Sequence, residues 1–197
     1  MDDGSEDEAG LWAKSLTGDG DAFGALYELH KDRIFRHSFR LVGDRHDAED
    51  VTAATFLELW RRRRDVRLVN DSVAAWLVTT ATNSSRNVQR SIRRHRRLID
   101  SLPRAAHAPD SESEALANNP LEAVDPRLAA ALRHLPALDL QLFALVALEG
   151  YSQADAAQAT GLTSSAVKAR LHRARHSLRS TLGTDAARLF SLERRTS

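Results

Sequence analysis

Residues 150–171, GYSQADAAQATGLTSSAVKARL, constrain this chain more than any other segment. A short Ala-rich stretch ends at Gly161, the residue type that most readily takes a left-handed helix cap, and Thr163 or Ser164 supplies an oxygen to cap the next helix. That second helix sets Val167, Leu171, Ala174 and Leu178 on one face at 3.6-residue spacing. Lys168, Arg170, Arg173, Arg175 and Arg179 fall elsewhere around it. The pattern is a helix-turn-helix. A helix packed through an apolar stripe, with a basic amino-terminal turn and basic flanks, suits the DNA major groove. The plainer alternative is a core helix with a solvated basic side.

A net charge of only +1 hides an asymmetry. The first ten residues are acidic, whereas residues 61–97 carry eleven arginines against Asp65 and Asp71. Residues 100–125 turn acidic again. Such a basic block points to a polyanionic partner, with a solvated surface as the alternative. Only three lysines accompany the many arginines and alanines, a bias that suggests a GC-rich genome. With no cysteine, neither disulfides nor thiolate metal sites can form. No apolar run reaches the length of a membrane span and the acidic start is no signal peptide, so no membrane insertion and a cytoplasmic location are expected.

The chain divides by composition. Residues 1–21, acidic and dotted with glycine, are expected to be disordered. Phe23, Leu26, Tyr27, His30, Ile34, Phe35, Phe39 and Val42 then recur at helical steps until Gly43 interrupts them. Residues 47–64 form a second helix, with Asp47, Glu49 and Asp50 in the first turn and Arg61 to Arg64 in the last, each complementing the helix dipole. After a loop at 66–71, Ser72 caps a third helix running to about Leu98 and packing through Val73, Trp76, Leu77, Thr80 and Ala81. Residues 99–126 lose periodicity and gather prolines, a linker composition. Helices resume over 127–183, and 184–197 reads as a fraying tail with no appended domain. Nothing alternates with strand period for long. The expected fold is all-α: two small helical domains, 22–98 and 127–183, joined by a flexible linker.

Residues 47–61, DAEDVTAATFLELWR, together with Trp76-Leu77 and Asn83, resemble region 2 of bacterial sigma factors. Residues 135–152 and 167–175 resemble region 4. Both blocks in this order, on either side of a short linker, are most similar to the two-domain extracytoplasmic-function (ECF, group IV) class of the sigma-70 family. The resemblance implies a specificity subunit of RNA polymerase, partnered by the β′ and β subunits of the core enzyme and by promoter DNA. An anti-sigma factor is a common further partner in the family, though no residue here specifies one.

The resemblance assigns the helix at 47–64 to docking on a β′ coiled coil, with Asp47, Asp50, Thr55, Glu58 and Arg61 as contacts. Ala53 and Ala54 stand where the family commonly has Gln-Glu. Phe56 and Trp60 are spaced as an i, i+4 aromatic pair, with Phe56 read as core. In the third helix Thr79, Asn83, Arg86 and Arg90 form one polar stripe, and Asn and Thr are poor helix formers whose concentration there suggests a use. Amides read the edges of unpaired bases and arginines neutralise phosphate; a solvated polar face is the alternative. The resemblance makes Thr79, Asn83, Arg86, Asn87 and Arg90, with the preceding loop, the reader of the melted minus-ten element. That loop lacks the stacking aromatic frequent in the family. Arg93, Arg94, Arg96 and Arg97 are expected on backbone phosphate. In the second domain Ser164, Ser165, Lys168 and Arg170 are expected to face bases of the minus-thirty-five element, with Arg173 and Arg175 on phosphate. A linker of about 25 residues spans up to ~80–90 Å, against ~34 Å per turn of duplex, so two separated elements lie within reach.

Eight histidines show no metal-ligand spacing; His172 and His176, at i, i+4, sit among arginines. Neither a phosphate loop nor a catalytic constellation is visible. No enzyme, cofactor or metal is expected. The competing function is a stand-alone helix-turn-helix DNA-binding regulator, which would need a dimer interface and no polymerase-docking helix.

Overall fold

The computed structural model describes residues 5–101 and 126–182. Eight α-helices follow in order: α1 Ser5–Leu16, α2 Gly20–Val42, α3 Arg45–Arg62, α4 Ala74–Ser101, α5 Pro126–His134, α6 Ala137–Phe143, α7 Gln153–Thr160 and α8 Ser164–Leu182. A 3₁₀ turn, Arg63–Asp65, follows α3, and a π-helical turn, Ala144–Leu148, extends α6. The expected linker from 102 to 125 and the tail from 184 lie outside the described residues, as do the side chains of Arg93, Arg96 and Arg97.

Local chemistry sets most helix ends. Asp19 accepts from the backbone N–H groups of Asp21 and Ala22, both at 3.0 Å, to open α2. Asp44 accepts from Asp47 N–H at 2.9 Å to open α3, two residues before the start expected from the acidic turn. Ser152 and Asp155 form a reciprocal capping box on α7. Gly43 and Gly161 close α2 and α7 with φ of 76° and 69°, the left-handed region where glycine carries no Cβ penalty.

The first correction concerns the amino terminus. Residues 5–16, expected to be disordered, form α1. Its acidic residues mask an apolar anchor: Trp12 is 4% exposed and packs into the core, with Leu11 and Leu16 beside it. Burying one large aromatic outweighs the local polarity that a composition reading registers.

The second difference is that the two halves pack on each other. One apolar cluster joins Trp12, Leu26, Ile34, Leu59 and Leu77 of the first half to Leu142, Leu145, Val167 and Leu171 of the second. Another sets Leu41 of α2 against Leu132, Leu135, Phe143 and Leu178. Phe56 is buried as expected, but it and Trp60 each turn to α2: Phe56 meets Tyr27 edge-on at 4.8 Å and Trp60 meets Phe23 at 5.0 Å. No described helix is long and apolar enough to cross a membrane.

Candidate nucleic-acid and partner-docking surfaces

On α3 the packing face is Ala48, Val51, Thr52, Thr55, Phe56 and Leu59. The outward strip runs through Asp50, Ala53, Ala54, Leu57 and Arg61, with Asp47 and Glu58 half-buried at the margin and Arg45, His46, Glu49 and Arg62 also exposed. Burial, with Asp44 and Asp50 nearby, pushes the Asp47 carboxyl above its ordinary value. Glu58 pairs with Arg62 at 2.6 Å. Thr55 is a correction: it is fully buried and donates its hydroxyl to Val51 O at 2.7 Å, so no partner can reach it in this structure. Its spacing from Asp50 and Glu58 looked superficial because a helix face is a strip whose edge a sequence does not mark. Leu57, 57% exposed, is the apolar centre of this outward strip.

Ser72 opens α4 by accepting from Ala74 N–H at 3.0 Å. Before it, residues 69–72 close a tight turn: Val69 and Ser72 exchange backbone hydrogen bonds at 3.1 and 3.2 Å. Asn70 and Asp71 at its tip have φ of 52° and 56°, a type I′ geometry that Asn and Asp tolerate better than most residues. Along α4, Asn83, Asn87, Arg90 and Arg94 are exposed, and Thr79 and Arg86 are half-buried. Thr79 spends its hydroxyl on Ala75 O at 2.9 Å.

The upper part of this ridge is not free. Gln141 of α6 donates to Asn83 Oδ1 at 2.6 Å, and Arg86 donates to Leu135 O at 2.6 Å. Burial, with Arg90 close by, lowers the Arg86 pKa. Gln158 of α7 also donates to Leu68 O, at 3.2 Å, just ahead of the turn.

A polar tie between the halves was not singled out from sequence. Glu149, with a side chain 6% exposed, accepts from Arg33 Nε at 2.9 Å and lies 3.4 Å from Arg40 Nη2. Its Oε1 is 3.3 Å from His37 Nδ1, whose other ring nitrogen is 2.9 Å from Thr82 Oγ1. Arg33 also lies 5.5 Å from the centre of the Tyr151 ring. Burial pushes the Glu149 carboxyl up, but His37, Arg33 and Arg40 outweigh it and hold it below the usual value. Burial lowers the His37 pKa, so the ring is neutral, with Nδ1–H donating to Glu149. These partners sit more than 100 positions apart in sequence, and one isolated acid after an apolar helix was the sole local signal.

In the second half, Thr163 caps α8 by accepting from Ala166 N–H at 3.3 Å. Val167, Leu171, Ala174 and Leu178 are buried, and Ser164, Ser165, Lys168 and Arg173 are exposed. Arg175 is half-buried. Arg170 departs from its expected place at a base edge: it turns back to pair with the buried Asp139 of α6 at 2.8 Å. A paired guanidinium satisfies an otherwise uncompensated buried carboxylate, and that need overrides a surface position.

A helix-turn-helix half with an exposed, polar and basic amino terminus, packed on a helical half that carries a long polar ridge, defines a DNA-binding module joined to a second recognition module. Family comparison agrees. Residues 26–98 match "Sigma-70 region 2" and residues 126–178 match "Sigma-70, region 4". The chain is 32% identical over 158 residues to the ECF RNA polymerase sigma factor SigL of Mycobacterium tuberculosis, covering 80% of this chain and 87% of that protein. It is 30% identical over 181 residues to BldN, an ECF RNA polymerase sigma factor of Streptomyces coelicolor, covering 89% of this chain but 66% of BldN. The structure of CnrH in complex with the cytosolic domain of CnrY superposes with a TM-score of 0.60 at 27% identity, covering 91% of this chain and 99% of CnrH. The chain belongs to the ECF class of sigma-70 RNA polymerase sigma factors. Such proteins are initiation factors, not enzymes, and direct transcription to particular promoters.

Proposed function

We propose that the first half docks on core RNA polymerase through the outward strip of α3 and reads the melted minus-ten element through α4 and the turn before it. The second half reads the duplex minus-thirty-five element through the first turns of α8. The observation that carries this division is the pair of polar ridges on separate halves: Asn83, Arg86, Asn87 and Arg90 on α4, and Ser164, Ser165 and Lys168 on α8. On this reading Asp50, Leu57 and Arg61 meet the polymerase, with Asp47 and Glu58 at the margin. Arg94, Arg173 and the outer part of Arg175 meet phosphate, where they position without specifying.

One requirement follows from the contacts. Gln141 and Leu135 occupy the groups of Asn83 and Arg86 that bases and phosphates would use, so the second half must leave α4 before the minus-ten strand is read. A protein that holds the halves in this arrangement would keep the factor inactive. CnrH, the similar structure, is bound to the cytosolic domain of another protein, which supports a regulator of the anti-sigma kind as a partner here. The site of action is the cytoplasm, where polymerase and promoter meet.

The test is reconstitution with sigma-free bacterial core polymerase on a genomic promoter library. Co-migration with core and initiation from a defined promoter subset are expected. Failure to bind core, with tight binding of duplex DNA by the chain alone, would overturn this reading in favour of a stand-alone regulator.

A further inference from the structure

Glu8 of α1 is a buried carboxylate with an unusual distribution of partners. One oxygen, Oε1, accepts from His30 Nε2 of α2 at 2.9 Å, from Ser72 Oγ at 2.9 Å and from Val73 N–H at 2.8 Å. Burial raises its carboxyl pKa, but the bond and charge of His30, with Val73 and Ser72, prevail and hold it below its ordinary value. The second and third of these bonds land on the base of the 69–72 turn and on the first backbone N–H ahead of α4. A helix leaves its leading N–H groups without internal partners, and a negative charge there also complements the helix dipole. Glu8 thus caps α4 from a helix more than 60 positions away in sequence.

Holding α1 in place does not require this carboxylate. Trp12, Leu11 and Leu16 already seat the helix in the apolar core, and Ser15 satisfies its hydroxyl on Leu11 O at 2.9 Å. What Glu8 adds is directed elsewhere, to the turn. That turn carries the two non-glycine residues with left-handed backbones among the described residues, Asn70 and Asp71, and both are exposed at its tip. Strained backbone of this kind persists only where its surroundings hold it. Here the holders are the Val69–Ser72 backbone pair, the buried Val69 side chain and Glu8. Asn83 follows on the same helix, about 13 Å further along at the α-helical rise.

We infer that Glu8 is a positioning residue for minus-ten recognition: through Ser72 and Val73 it fixes the 69–72 turn at one place relative to the polar ridge of α4. Glu8 touches no DNA; its effect passes through the turn. The inference rests on the promoter reading given above, and it adds a requirement for α1 that the docking and reading surfaces do not contain.

The test uses the full chain assembled with core polymerase and single-stranded oligonucleotides spanning the minus-ten element, either matched to the selected promoter or changed one base at a time. Wild-type holoenzyme is expected to prefer the matched strand at least tenfold at one or more positions. Glu8→Ala is expected to bring that ratio to within about threefold of unity while affinity for core stays within twofold. Ser72→Ala, which removes one of the three donors and leaves Trp12 seated, is expected to lower the ratio less, and serves if Glu8→Ala folds poorly. A general structural role would weaken core binding and all DNA binding together with the ratio unchanged, and that outcome overturns the inference. A discriminating wild type matched by an equally discriminating Glu8→Ala overturns the role of Glu8 alone. A wild type with no preference overturns the promoter reading and the inference with it.

Discussion

Replacing Glu149 by glutamine tests what holds the two halves together. The substitution keeps the shape and one acceptor oxygen for His37 but removes the charge that Arg33 and Arg40 share. A hydrogen bond to a charged group contributes about 1.5–3 kcal/mol net, and severing a fully buried ion pair costs about 3–5 kcal/mol. Arg33 and Arg40 keep side chains 33% and 32% exposed, so water can take them back once the carboxylate is gone. That places the loss at about 2–3 kcal/mol, in the upper part of the first range and below the second. With about 1.4 kcal/mol per factor of ten, the ratio of closed to open molecules falls roughly 30- to 150-fold. The shared apolar cluster remains, so an open population appears without complete separation. Because the chain has no cysteine, Arg36→Cys and Ser177→Cys, both at exposed positions, give a single labelled pair for energy-transfer distance measurements. One short-distance population is expected in the otherwise wild-type protein and an added longer one with Glu149→Gln. Identical distributions in two equally helical proteins would refute the assignment of the latch to Glu149.

Four further outcomes are expected. Lys168→Ala should weaken binding to the matched minus-thirty-five duplex more than to substituted ones, whereas Arg170→Ala, which strands the buried Asp139, should cost about 1–3 kcal/mol of stability in denaturant melts; loss of base preference with unchanged stability would return Arg170 to the DNA. Thr55→Val removes a hydroxyl satisfied inside its own helix and should leave core affinity within twofold, so a large loss in a pull-down titration would put Thr55 back at the interface. Stability should also fall on acidification. His37 has a lowered pKa, so its contribution is complete above its ordinary value of 6.5 and declines as pH drops below it. Glu8 and Glu149, also lowered, add losses below their ordinary 4.5. Denaturation midpoints flat between pH 7 and 5 would show that the fold does not lower the His37 pKa.

The parts of this molecule that were legible in its sequence are those decided within one or two helical turns. Gly161, Thr163 and the Val167–Leu171–Ala174–Leu178 stripe act on neighbours three to four positions away, and the helix-turn-helix follows from them. The exposed face of α4 was legible for the same reason. Thr55 and Arg170 misled because both sit at the border of a helix face, where a partner on another helix decides the orientation. Trp12 and Glu8 were hidden in an acidic stretch because their partners lie far along the chain. Glu149 could not be matched to Arg33, His37 and Arg40 by any periodicity, since the pairing exists only once α2 and the end of α6 have met.

The π-helical turn at Ala144–Leu148 acts as an angular adjustment of the second half. Its wider closure lets Glu149 N–H reach Ala144 O at 3.0 Å and Tyr151 N–H reach Leu145 O at 2.9 Å. An α-helix advances about 100° per residue, so deleting one residue while the turn kept its wide closure would swing all that follows by roughly that angle. Glu149 would then point away from α2, and α8 would leave α6 and its Asp139. The length of this five-residue turn is therefore under tighter constraint than the identity of its small apolar side chains, and insertions or deletions there should be far more damaging than substitutions.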